Sequence, residues 1–310
     1  MPLSRFAAGI LVSVLGLGLA VGDTSPARAL SETDMSLMSS SEPAMAGAPV
    51  TFTARVTTAA GGPPTGTVIF RADGSNQATA TLFPRDGGKA ISVGSEHACA
   101  LTSTRGVVCW GKNGNGQLGD NSLEARSTPV DVIGLSSGVV AVGAGFEHSC
   151  ALTDAGAVKC WGLNNRGQLG TGDRIDSLVP MPVSGLSSGV SAITVGQFHS
   201  CALVSGGVWC WGLDGGRLGN TAVVDRVTPV LMTGLESGVV RISAGWAHSC
   251  AILATGAAKC WGSNFNGQLG DGGDVGPRTA TDVAGLASGV ASIGAGDYHT
   301  CALTDAGGVK

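Results

Sequence analysis

Five times the chain sets a histidine two residues before a cysteine. The strings begin at His97, His148, His199, His248 and His299 and read HACALTSTRGVVCWG, HSCALTDAGAVKCWG, HSCALVSGGVWCWG, HSCAILATGAAKCWG and HTCALTDAGGVK. Imidazole and thiolate are zinc ligands. On an extended strand His148 and Cys150 share a face, with Cys160 across from them. The same cysteines, on either side of a turn, are equally placed to form a disulfide. Zinc needs three or four tetrahedral ligands, and the familiar C-x-x-C spacing is absent. If the cysteines pair, the histidine is a structural residue whose imidazole ties the preceding turn to a backbone carbonyl.

The compartment bears on that choice. The N-terminus has Arg5, an apolar run over residues 6–21 and then Ala27-Arg28-Ala29, the three parts of a secretory signal peptide over residues 1–29. The apolar run is shorter than the roughly 20 residues of a membrane span, so no span is expected after cleavage. An uncleaved anchor is the other reading of the same run. In an oxidising compartment cysteines pair, which favours the disulfides Cys99–Cys109, Cys150–Cys160, Cys201–Cys210 and Cys250–Cys260 and leaves Cys301 as an unpaired thiol. No metal and no cofactor are expected. Removing Arg5, Arg28 and Asp23 leaves 16 basic against 21 acidic residues, and a net charge of −5 argues against a nucleic-acid partner.

The elements that must position these groups follow from the period. The histidines are 51, 51, 49 and 51 residues apart, and all five histidines and all nine cysteines of the chain fall inside the repeated string. A fixed period near fifty marks a repeat architecture. The second unit shows the plan: GVVAVGAG (138–145), HSCALT (148–153), AVKCWG (157–162), then NNRGQLGTG, a variable loop and a short strand near PMPVSGL. These are short, β-prone segments punctuated by glycine, which makes up 51 of 310 residues. Each unit is therefore a meander of about four antiparallel strands. Residues 87–310 hold four such units and part of a fifth, an incomplete all-β propeller. Upstream, residues 30–48 read as a disordered linker, and 49–86 as a short β segment of three strands.

The combination G-x-x-H-[ST]-C-A-L, C-W-G and N-x-x-G-Q-L-G resembles the regulator of chromosome condensation repeat. The last motif stands at residues 113–119, 164–170 and 264–270 and departs to LDGGRLG at 213–219. The resemblance implies a propeller of usually seven blades. It also raises guanine nucleotide exchange and chromatin binding, which export, acidity and disulfides oppose. Secreted inhibition of an extracellular enzyme is known among some bacterial relatives. Residues 49–86 resemble the first half of a bacterial immunoglobulin-like module.

Within a repeated frame the positions that vary are candidates for function. Trp110, Trp161, Trp211 and Trp261 recur at one register, as inter-blade packing demands, although a carbohydrate-stacking row would look the same. The two residues before each histidine vary instead: Ser95-Glu96, Phe146-Glu147, Gln197-Phe198, Trp246-Ala247 and Asp297-Tyr298. In a propeller these turns gather on one rim. Phe146, Glu147, Gln197, Phe198, Trp246, Asp297 and Tyr298 are therefore candidates for partner binding, or caps on the inter-blade core. No nucleophile triad, phosphate loop or calcium loop accompanies them. The expected function is a non-catalytic, secreted or cell-surface scaffold that binds an extracellular protein or glycan, with secreted enzyme inhibition as the alternative. The fifth unit reaches Cys301 but not the cysteine due ten positions later, so an arc with open blade edges and self-association is also expected.

Overall fold

The computed structural model describes residues 91–219, 224–274 and 278–310, and upstream of these only strand segments between 10 and 82. Chain contacts divide into two units, Met1–Asp86 and Gly87–Lys310. The first contains β1 (Ile10–Leu15), β2 (Thr33–Ser39), β3 (Phe52–Thr58), β4 (Gly66–Ala72) and β5 (Ser75–Leu82). They form antiparallel sheets ordered β1-β4-β5 and β2-β3. β3, β4 and β5 fall where alternation of β-branched residues predicts strands. β1 lies inside the apolar run of the leader and β2 inside the stretch read as a linker, where Met35 and Leu37 alternate with Asp34 and Ser36. The cleavage site at Ala27-Arg28-Ala29 lies outside the described residues.

The second unit is a series of antiparallel meanders. The first sheet contains β6 (Ile91–Val93), β7 (His97–Leu101), β8 (Val107–Gly111) and β9 (Arg126–Asp131). The second contains β10 (Val139–Ala144), β11 (His148–Thr153), β12 (Val158–Gly162) and β13 (Ser177–Pro182). The third contains β14 (Val190–Val195), β15 (His199–Val204), β16 (Gly207–Gly212) and β17 (Arg226–Leu231). The fourth contains β18 (Val239–Ala244), β19 (His248–Leu253), β20 (Ala258–Gly262) and β21 (Arg278–Asp282). A fifth, two-stranded sheet pairs β22 (Val290–Ala295) with β23 (Thr300–Thr304). The described residues contain no helix, and the architecture is a propeller of four full blades and part of another.

Register explains the cysteines. β11 and β12 pair so that Cys150 lies opposite Cys160, and the same direct pairing recurs at Cys99–Cys109, Cys201–Cys210 and Cys250–Cys260. All four pairs are disulfides, with Cα atoms 4.0 to 4.1 Å apart, and Cys301 is a free, exposed thiol. The third hairpin is one residue shorter, and the loss falls in its turn. Ser205 and Gly206 take positive φ there, and Val204 pairs directly with Gly207.

The core consists of seams between blades. Cys99, Leu118 and Val132 of the first blade pack against Val142, Ala151 and Trp161 of the second, and equivalent clusters fill the next seams. Trp161, Trp211 and Trp261 are 0% exposed, so they are packing residues and present no surface to a sugar. Trp110, in the first blade, is half-buried. The QLG turn makes room for each indole. At Gly170, whose φ is 71°, an added Cβ would stand 2.8 Å from Trp211 Nε1.

Candidate functional site

Four of the five histidines reach across a seam, not back to their own turns. The Nε2 atoms of His97, His148 and His199 lie 2.8 to 2.9 Å from the hydroxyls of Ser149, Ser200 and Ser249, and His248 meets Thr300 at 2.8 Å. The expected bond to a carbonyl of the preceding turn is not made. Before His148 the turn's carbonyl is directed to the preceding blade instead, where Gly145 O accepts from Ser95 N at 3.2 Å. Ser149 Oγ donates its one proton to the carbonyl of Gln117 at 3.0 Å, Ser200 to Gln168 at 3.3 Å and Thr300 to Gln268 at 2.8 Å. In those seams the hydroxyl can only accept from the histidine, so Nε2 carries the proton and Nδ1 is bare. Nδ1 has no partner in His97, His148, His199 or His248. Burial lowers the pKa to about 3 in His148 and His199 and to about 4 in His97 and His248, so the rings are neutral.

The glutamine carbonyl accepts a second proton from the same neighbouring blade. Trp161 Nε1 donates to Gln117 O and Trp211 Nε1 to Gln168 O, both at 2.9 Å. The carbonyl is aimed by its own turn: Asn164 Oδ1 accepts from Leu169 N at 2.9 Å, and Gln168 Oε1 from Arg166 N at 2.8 Å. The third unit breaks the pattern. Its turn, residues 214–219, is one residue shorter, with Asp214 for asparagine and Arg217 for glutamine. Trp261 Nε1, Asp214 Oδ2 and Arg217 Nε are buried without partners. Burial raises the Asp214 pKa and lowers that of Arg217. These clamps are scaffold, and they fix the turn that precedes each histidine.

Backbone bonds link those turns from blade to blade: Ser95 N to Gly145 O, Phe146 N to Gln197 O, Gln197 N to Trp246 O and Trp246 N to Gly296 O, at 3.2 to 3.4 Å. Their aromatic side chains converge. Phe146 stands edge-on to Phe198 with centroids 5.4 Å apart and to Trp246 at 5.6 Å, and Trp246 lies 6.0 Å from Tyr298. Phe146, Phe198 and Trp246 are half-buried, while Tyr298 and Asp297 are exposed. Beside them, where the first strands of the five units meet, is a cavity of about 380 Å³ lined by Ser95, Phe146, Gln197, Trp246, Asp297 and the backbone before each turn. Glu147 is engaged by Lys112, whose Nζ lies 2.9 Å from it and 2.7 Å from Glu96. Among the described residues no group of histidines, cysteines and carboxylates could hold a metal ion.

The sequence profile described as Regulator of chromosome condensation (RCC1) repeat matches residues 106–152, 155–203, 205–252 and 259–303, more than half of the chain. The chain belongs to that repeat family. RCC1-repeat relatives include the human "Probable E3 ubiquitin-protein ligase HERC3", 40% identical over 126 residues, and the Arabidopsis thaliana "Ultraviolet-B receptor UVR8", 35% identical over 127. Those alignments cover 39% and 40% of this chain but only 12% and 29% of the relatives' lengths. Among solved RCC1 structures, yeast RCC1 (Prp20) bound to Kap60 superimposes with a TM-score of 0.62 at 26% identity, covering 76% of this chain and 59% of that one. Human WBSCR16 gives 0.63 at 22% identity, covering 81% and 69%, and supports the fold alone.

Proposed function

We propose that the chain is a non-catalytic binding scaffold, secreted or at the cell surface, which holds an extracellular protein or glycan on the face carrying Phe146, Phe198, Trp246 and Tyr298. The observation that carries this reading is convergence. Four aromatic rings from positions that vary in an otherwise repeated frame form a continuous row, Phe198–Phe146–Trp246–Tyr298, with neighbouring centroids 5.4 to 6.0 Å apart, and its two middle members line one cavity. Aromatic groups at a partly exposed, concave surface are typical anchors for a partner. Export is supported by the four disulfides and by the leader-like residues 1–29. We read residues 49–86 as a partial immunoglobulin-like β segment. Acidity and export weigh against the nucleotide-exchange and chromatin roles raised by the family name.

Alanine at Phe198 and Tyr298, the two outer members of the cluster, tests the reading. Partner affinity should fall by about 1 to 4 kcal/mol while thermal unfolding shifts little. A collapse of stability with these substitutions would make the rings core residues and remove the binding face.

A further inference from the structure

The cavity beside the aromatic cluster has a specific chemical character. Its lining contains one ionisable side chain, Asp297, and two aromatic rings, Phe146 and Trp246. Ser95 and Gln197 add hydrogen-bond acceptors to the wall. Nearby, Lys112 sets one positive charge against the two carboxylates of Glu96 and Glu147, so that group is also net negative. Ring faces and carboxylates both attract cations, and neither attracts a neutral or anionic group comparably. The volume, about 380 Å³, is at the small end of ligand pockets and suits one side chain, not an extended oligosaccharide.

We propose that this cavity receives a single arginine side chain presented by a protein partner. The inference rests on the scaffold reading and names the chemistry of what the face holds. A guanidinium is preferred over an ammonium for two reasons. It is planar and weakly hydrated, so it stacks on Trp246 or Phe146 at little desolvation cost. Its five N–H groups can serve Asp297 and further acceptors of the wall, where a quaternary ammonium would leave those acceptors unpaired. Asp297 supplies the charge and the rings supply the slot.

The test uses the intact, oxidised chain and two small probes: Nα-acetyl-arginine methylamide and its citrulline counterpart, which has nearly the same shape but no charge. Binding is read from the indole signal of Trp246, assigned with Trp246→Phe, and by calorimetry. The arginine probe should bind at least about tenfold more tightly than the citrulline probe. Asp297→Asn should erase most of that difference, and added salt should weaken it. Equal binding of the two probes, or none of either, overturns the arginine assignment. A partner captured equally by the wild type and Asp297→Asn, but lost with the Phe198 and Tyr298 alanine variants, would also overturn it while leaving the scaffold reading intact. Loss of capture in Asp297→Asn, with unfolding and disulfides unchanged, supports it.

Discussion

At the residue scale, His97, His148, His199 and His248 each keep their Nε2 on a hydroxyl of the next blade, and burial keeps them neutral. Above about pH 6.5 the imidazoles are neutral in folded and unfolded chains alike, so unfolding takes up no proton there. Below it the unfolded chain binds protons that the folded one refuses until about pH 4 for His97 and His248, and about pH 3 for His148 and His199. Stability therefore falls as the pH drops through that window, by about 1.4 kcal/mol per pH unit for each histidine. Urea unfolding at pH 7.5, 6 and 5 should show this slope, and His148→Gln should make it shallower. Ser200→Ala should cost about 1 to 3 kcal/mol by stranding the His148 proton. Ser200→Thr should be nearly neutral, because Thr300 does the same work in the last seam. The clamp had left a trace in the sequence. Serine or threonine follows the histidine in the second to fifth units, but alanine, Ala98, follows it in the first, where no earlier histidine is there to donate.

At the scale of elements, strand pairing and disulfides were legible because alternation and turn position fix register without outside help. Cys150 faces Cys160 once the turn near Ala155 is placed. The seam between the third and fourth blades was less legible. LDGGRLG stood out as a departure, but the acceptor that it misplaces is a backbone carbonyl, which has no letter of its own. Restoring the missing residue, by exchanging residues 214–219 for the sequence NNRGQLG, should give Trp261 Nε1 an acceptor and stabilise by about 1 kcal/mol, read as a higher urea midpoint. Reduction acts on all four hairpins. Each disulfide closes a loop of about ten residues and should contribute about 2 to 3 kcal/mol, so breaking one should lower the thermal midpoint by several degrees, and dithiothreitol, which breaks all four, by roughly 15 °C or more. The variation between units marked these turns, and the repeat implied that they gather on one rim. That the rings touch required the curvature of the arc, which no single unit encodes.

At the scale of the molecule, the repeated domain exposes apolar surface on its first strand, where Ile91 is 51% and Val93 71% exposed, and it carries the free thiol of Cys301 at the other end. The 310-residue chain should self-associate through these faces. Light scattering should find species larger than a monomer, and oxidation should add a disulfide-linked dimer that Cys301→Ser abolishes. A compact monomer with unreactive Cys301 would show that the faces are covered. The histidine-to-hydroxyl clamp has a consequence for how such a gene can change. The first, second and fourth units offer their successors the same imidazole proton and carbonyl, and a serine or threonine of the following unit meets both. A unit could therefore be duplicated, lost or shuffled by recombination and still meet a matching neighbour. The exceptions are the third, whose shortened turn would deprive whatever tryptophan came to follow it, and the first, whose Ala98 has no hydroxyl to meet a histidine.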